Sequence, residues 1–384
     1  MTARRLLPLG LAALAAACTV RELNIGVAPG TGGSGVMKVD AGDGPFTPTP
    51  PPAVDILFVI DDSSFARSLQ RRLLANFPLF MTRLIRASGL NSLHIGVIST
   101  DMGAGDGSVA GCDSSGGKNG ILQYTARGSC TTTGLDPGAT FISDIDGVKN
   151  YTGNREDVFG CIASLGESGC GFEHPFASIT RALGADGSPP PAENQGFLRP
   201  EAHLFIVIVT DEDDCSAPRG SPLFDTATNT TLESPLGPPG NFRCNEFGHL
   251  CNGAPPPRLP PSGNASDVVT LDGCASAEDQ GMLIPVATVA SQLRSLKSSP
   301  TQWIKLAAIT GPATPYTVHW ADRRGDNLGP RPQITASCTA ADASSAAPAV
   351  RINQLLRYFS GYSFTIPACV DDYKPALDAL MIVD

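Results

Sequence analysis

The sequence predicts an α/β fold, doubly wound around a mostly parallel sheet, and three observations carry that prediction. First, Val54–Ile60 is a run of largely β-branched residues, apolar except at Asp55, that ends abruptly at Asp61-Asp62. Second, Leu204–Val209 repeats the pattern and ends at Thr210-Asp211-Glu212-Asp213-Asp214. Short runs so rich in apolar residues read as strands buried on both faces. Third, strand-like and helix-like stretches alternate along the chain, as parallel sheets require. In open sheets of this kind ligands sit beyond the carboxyl ends of the strands. Two strands ending in Asp therefore predict one acidic, hydroxyl-bearing pocket, whose hard oxygens suit Mg²⁺, Mn²⁺ or Ca²⁺.

The elements follow in order. After the first strand, Phe65, Leu69, Leu73, Phe77, Phe80 and Leu84 recur at helical spacing, and Pro78 is expected to kink or split that helix. Leu93–Ser99 is a second strand. Residues from about 102 to 160 are polar and Gly-rich and read as an irregular insertion containing a hairpin. Phe172, Phe176, Ile179 and Leu183 mark a helix with Pro175 in its first turn. The strand 204–210 follows, then a second insertion from about 212 to 276. Met282, Val286, Val289, Leu293 and Leu296 predict a helix, and Trp303–Ile309 a strand. A hairpin is expected around His319 and Trp320. Val350–Phe359 reads as helix, Tyr362–Ile366 as strand and Asp372–Leu380 as a last helix.

The N-terminus has its own grammar. Arg4 and Arg5 precede an apolar stretch, Leu6–Ala17, that is too short to span a bilayer, and Cys18 follows Ala15-Ala16-Ala17. These residues resemble a bacterial lipoprotein signal peptide, covering 1–17, with Cys18 as the lipidated residue. Residues 18–52 are Gly-, Pro- and Thr-rich and cannot bury a core, so they read as a flexible tether. The domain proper is then 53–384. Of the 11 cysteines, setting Cys18 aside leaves ten, an even number that implies disulfides in an oxidising compartment. No Cys-x-x-Cys occurs, which argues against zinc or redox chemistry. Nearness and nesting pair Cys112 with Cys130, Cys161 with Cys170, Cys244 with Cys251, Cys338 with Cys369, and Cys215 with Cys274.

Charge narrows the function. The net charge of -10 argues against nucleic acid and against adsorption to anionic lipid. There is no Gly-x-Ser-x-Gly elbow, no His-Glu-x-x-His and no phosphate loop, so no enzymatic activity is expected.

The chain resembles the von Willebrand factor A domain family. Asp61-Asp62-Ser63-Ser64-Phe65 is similar to the family's Asp-x-Ser-x-Ser after its first strand, and Thr210-Asp211-Glu212 to its Thr-Asp-Gly after a later one. Gly169-Cys170-Gly171-Phe172-Glu173 and Thr210–Ser216 look like motifs of its exported, cysteine-rich branch, found as bacterial lipoproteins. The resemblance implies a metal-ion-dependent adhesion site with Asp61, Ser63 and Asp211 at three matching positions. It departs at Phe65, where a hydroxyl ligand is lost, so the site is degenerate. Ser64 or Glu173 are the candidate substitutes, and Asp62 and Asp213 would add carboxylates that make the site more Ca²⁺-like.

Each acidic residue has a plainer reading: Asp61 and Asp211 as caps accepting backbone N–H bonds, Glu173 as an anion near a helix N-terminus, and 212–214 as a solvated turn. The expectation is a binding or adhesion module, anchored to the cell envelope through the Cys18 lipid on the periplasmic or surface face of the outer membrane. Its partner is a protein or extracellular polymer engaged through a divalent cation. The alternatives are a structural envelope lipoprotein with a vestigial metal site and a hydrolase.

Overall fold

The structure is a computed structural model that describes residues 53–88, 90–105, 109, 111–112, 116–228, 230–279, 281–298, 303–322 and 329–375. The expected signal peptide, Cys18 and the tether lie outside the described residues, as does the last expected helix from position 376 on.

The chain runs β1 (Ala53–Ile60), α1 (Arg67–Ser88), β2 (Ser92–Ser99), β3 (Ile142–Ile145), β4 (Val148–Lys149), α2 (Arg155–Ala163), α3 (Pro175–Ala182) and β5 (His203–Val209). It continues with α4 (Phe242–Gly248), β6 (His249–Cys251), β7 (Val268–Leu271), β8 (Cys274–Ser276), α5 (Val286–Arg294) and β9 (Ile304–Thr310). It closes with β10 (Tyr316–Ala321), β11 (Arg331–Ile334), β12 (Cys338–Thr339), β13 (Ser345–Ala346), α6 (Val350–Tyr358) and β14 (Ser363–Pro367). A seven-stranded sheet of order β14-β9-β5-β1-β2-β3-β4 forms the centre. Its first five strands are mutually parallel, and β3 and β4 add an antiparallel edge to β2.

Strand pleating sorts the side chains into two cores. Ile56, Phe58 and Ile60 face one side, where Leu69, Leu73, Phe77 and Met81 of α1 and Phe159 and Ile162 of α2 cover them. Leu57 and Val59, with Ile206 and Ile208, face the other, under α3, α5 and α6. The sheet is thus an α/β layer with helices on both faces. From β1 the chain crosses through α1 to β2 on one side; from β5 it crosses through α5 to β9 on the other. Connections that leave neighbouring strands in opposite directions open a crevice above the β1–β5 pair.

Three expectations are corrected. Pro78 does not split α1, which runs unbroken through it. The buried stripe Leu69-Leu73-Phe77-Met81 holds both halves of the helix to one sheet face. The first insertion carries the helix α2 as well as a hairpin. Nine residues with Gly160 among them give little stripe to read, because Val158, Phe159, Cys161, Ile162 and Ala163 are all buried.

The third correction is the disulfide pairing. Only Cys338–Cys369 is as expected; the others are Cys112–Cys170, Cys130–Cys161, Cys215–Cys244 and Cys251–Cys274. Helix α2 carries Cys161 to Cys130, leaving Cys170 to reach Cys112 in the loop after β2. In the second insertion, β6 and β8 pair antiparallel with Cys251 opposite Cys274, which dictates that bond and leaves Cys244 to Cys215. Buried Arg243 organises the same insertion, donating to the carbonyls of Leu223 at 2.7 Å, Asp225 at 2.6 Å and Gly237 at 2.7 Å.

Candidate metal centre

The crevice is built by strand register. Ile60 lies beside Val209, and the Asp61 N–H donates to the Val209 carbonyl at 2.8 Å, so the two acidic loops leave the sheet together. The alternation that points Val59 and Ile208 toward the α3–α5–α6 side carries on to Asp61 and Thr210. By the same rule Thr100 follows Ile98 at the end of β2. Three adjacent strands thus deliver oxygen donors to one face. The Thr210 hydroxyl donates to Asp61 Oδ2 at 2.9 Å, and the Ser63 N–H donates to Asp61 Oδ1 at 2.8 Å. Gln70 of α1 fixes the loop by donating to the carbonyls of Asp61 and Gly166, each at 2.8 Å.

Glu173 enters from the residues just ahead of α3. It is buried, accepts the Thr100 hydroxyl on Oε2, and leaves Oε1 buried with no hydrogen-bond partner. Burial pushes its carboxyl well above the usual range, and the negative charges of Asp61 and Glu212 push it further. Asp211 is raised to about 9 by burial, then by Asp61 and Glu212, with which it shares the crevice. Glu212 is raised to about 8 by burial and by Asp61, although Asn241 Nδ2 donates to both its oxygens at 2.8 and 2.7 Å. The strongest charges acting on Glu173 and Asp211 are all negative.

Asp62, one residue from Asp61, has the opposite surroundings. It pairs with Lys118 and accepts the Ser99 hydroxyl at 2.6 Å. Gly169 approaches so closely that a Cβ there would sit 2.2 Å from Asp62 Oδ1, which explains the glycine before Cys170. Asp62 thus has a positive partner in Lys118.

Of the residues the sequence nominates, the structure brings Asp61, Ser63, Asp211 and Glu173 to this crevice. It does not bring Asp213. Asp213 Oδ2 accepts the Arg351 N–H and His249 Nε2, both at 2.8 Å, and Oδ1 accepts the Ile352 N–H at 3.1 Å, so this carboxylate caps α6. Asp214 caps α3 in the same manner, accepting the Phe176 N–H at 3.1 Å. Ser64 is exposed at the outer edge of the loop. Thr100 and Gln70 stand beside the cluster without any motif to mark them, whereas Thr210 and Glu212 lie within the quoted Thr210-Asp211-Glu212 motif but were not nominated as ligands. The signal for the two threonines is alternation: each is the polar residue that continues the inward-facing register past a strand end.

The chemistry of this donor set is that of a hard cation: carboxylates and hydroxyls, one carboxylate oxygen unpartnered, and mutual repulsion that a divalent ion would cancel. Its geometry is not fully assembled. Among the described residues no three His, Cys, Asp or Glu side chains are grouped as ligands; Glu173 accepts from Thr100 and Glu212 from Asn241.

At the rim stands Phe65, where the resemblance leads one to expect a serine. It is 82% exposed and has φ of 82°, in the left-handed region. That backbone costs a non-glycine residue about 1 kcal/mol. Phe65→Gly is therefore expected to stabilise the protein by about 1 kcal/mol, a rise of roughly 2 °C in Tm. Thermal melts that show a loss of stability would mean the ring is held by packing.

No protein-family model matches the chain, and no curated protein matches it. Among solved structures it is similar to the pilus adhesin SpaC of Lactobacillus rhamnosus GG in its open conformation, at 10% identity and a TM-score of 0.30, over 87% of this chain and 30% of that one. It is also similar to the adhesive tip pilin GBS104 of Group B Streptococcus agalactiae, at 11% identity and a TM-score of 0.30, over 85% of this chain and 98% of that one. The chain thus spans 30% of the length of SpaC. Likeness at these TM-scores carries no argument about function.

Proposed function

We propose that this protein is an exported, envelope-anchored binding module of the von Willebrand A type. It engages a protein or polymer partner through a divalent cation held by Asp61, Ser63 and Asp211, with Glu173 close by. The observation that supports this reading most directly is the uncompensated carboxyl cluster above β1 and β5, with Glu173 Oε1 buried and unpartnered. A fold does not keep such a cluster for stability; it is costly unless something positive visits it. Bound there, Mg²⁺, Mn²⁺ or Ca²⁺ would neutralise the carboxylates and offer a coordination position to an acidic group of the partner. Asp61 would be the anchoring ligand, since the Ser63 N–H and the Thr210 hydroxyl fix both of its oxygens. The reading assigns no enzymatic activity. The lipid anchor at Cys18 and an envelope location belong to the same proposal; no helix among the described residues is long and apolar enough to cross a membrane.

Calorimetric titration of the three ions into the purified protein, beside Asp211→Ala, tests the reading. One ion at least binds the wild type, and none binds the variant. Because Asp211 and Glu212, raised to about 9 and about 8, hold protons near neutral pH, binding releases protons and tightens as pH rises from about 6 to about 8.5. Wild-type protein that binds none of the ions leaves the acidic cluster vestigial and favours a structural envelope role.

A further inference from the structure

Helix α4 of the second insertion and strand β11 border a groove of about 290 Å³, close to the lower end of the ~300–1,000 Å³ that small-ligand sites occupy. The Cys215–Cys244 bond lines it and ties α4 down, so its walls are set before any ligand arrives. Asn245 is its unusual residue. It is only 8% exposed and lines the groove, yet its side-chain amide has no hydrogen-bond partner among the described residues. Proteins rarely bury an amide without giving it one, because the lost hydration is then not recovered. Two further amides stand beside it. Asn241 donates through Nδ2 to the Glu212 carboxyl and keeps its carbonyl oxygen free. Gln333 donates through Nε2 to the Ala321 carbonyl at 3.3 Å and likewise keeps its oxygen. The charged groups at the groove are Arg331 and Glu212, of opposite sign, and Asp213, whose oxygens are already taken by His249 and the N–H groups of α6.

We infer that this groove is a saccharide subsite that takes one neutral sugar ring and needs no cation to do so. A sugar hydroxyl both donates and accepts, and an unpartnered amide offers both functions side by side. Asn245 supplies such a pair, and Asn241 and Gln333 add acceptors. Half-buried Phe242 and Pro332 give the C–H face of the ring an apolar surface to lie against. The balanced charges favour an uncharged ligand over an anion. A peptide fits this groove less well. Strand β11 is the outer strand of its sheet, where an extended peptide would add by alternate backbone bonds. The Thr335 N–H donates to Thr317 of β10 at 2.9 Å, so alternation turns Gln333 inward as well and leaves Pro332 and Ile334 facing out. Pro332 has no N–H to give, so the ladder a peptide would need is broken at its centre.

The test is saturation-transfer NMR on the purified protein, with EDTA present throughout. The probes are glucose, galactose, mannose and N-acetylglucosamine, with a polyproline peptide beside them. At least one sugar is expected to bind wild-type protein with a Kd on the order of 1 mM. Asn245→Leu, which keeps the bulk of the side chain and removes the amide, weakens that sugar about tenfold. Gln333→Ala, on β11 and away from the α4 packing, weakens it about threefold and carries the test if leucine at 245 disturbs α4. Thermal melts of both variants show which of them keep the fold. No transfer to any of these sugars, an affinity that the folded variants leave unchanged, or transfer to the peptide and not to the sugars overturns the inference. None of these outcomes touches the cation reading, since the chelator takes the cation out of the experiment.

Discussion

Replacing Arg351 with Met is expected to destabilise the protein by about 3–5 kcal/mol, the cost of leaving one member of a buried ion pair alone. Both Arg351 and Asp214 are fully buried, and Arg351 Nη2 lies 3.1 Å from Asp214 Oδ2. The guanidinium also donates to the Ile284 carbonyl at 2.6 Å and to the Ser276 hydroxyl at 3.2 Å, and sits over the Phe176 ring at 5.7 Å. It therefore joins α6, the segment leading into α5, the second insertion and α3 at one point. Met fills similar volume, so the loss isolates the polar contacts. Asp214 is raised to about 6 by burial even with Arg351 beside it. A carboxyl raised in the folded state contributes stability that is present at pH below its unfolded value and is lost as pH rises through the folded one. Removing Arg351 raises Asp214 further, so the deficit of the variant is small near pH 4 and grows toward pH 8. Urea unfolding at both pH values measures it. Adding Asp214→Asn should recover part of the loss, since the orphan charge is removed while an acceptor for the Phe176 N–H remains. A double variant no more stable than the single one would mean that the Arg351 bonds to Ile284 and Ser276, not the ion pair, hold this region.

Much of the α/β frame was legible because the strands are apolar on both faces and the longer helices repeat at three and four. Val54–Ile60, Leu204–Val209 and the stripes Leu69-Leu73-Phe77 and Val286-Val289-Leu293 all sit where their periodicity puts them. The insertions were less legible. Their order comes from disulfides, from the β6–β8 pairing and from Arg243, and none of these leaves a periodic trace. Pairing cysteines by nearness held for Cys338–Cys369 and failed for the other four pairs for the same reason: short elements such as α2 carry thiols sideways, away from their neighbours in sequence. In the candidate centre, the motifs pointed to Asp61 and Asp211, but not to the division of labour in the acidic run. Asp211 and Glu212 face the crevice, while Asp213 and Asp214 turn inward to cap α6 and α3. Four consecutive carboxylates look alike in a sequence. Only the positions of helix N-termini contributed by distant segments decide which of them are caps.

That division leads to the second large expectation. Asp211→Asn should make the cation-free protein more stable, by about 1–3 kcal/mol at pH 8, while abolishing divalent-cation binding. In the wild type, burial and the charges of Asp61 and Glu212 raise Asp211 to about 9. The associated stability is fully present below the unfolded value near 4 and drains away as pH climbs through about 9. An amide carries no charge to lose, and its NH₂ group is a donor that a carboxylate lacks. The variant should therefore show a flatter stability profile from about pH 5 to pH 9, and its advantage over wild type should widen with pH. Saturating cation should reverse the order, because it binds only the folded wild type and adds stability in proportion to the logarithm of its concentration. Thermal melts of both proteins at two pH values, with and without Ca²⁺, Mg²⁺ or Mn²⁺, give the four comparisons. If the variant is the less stable form without cation at pH 8, the carboxyl at 211 serves the fold, and the case for an electrostatically costly binding centre falls with it.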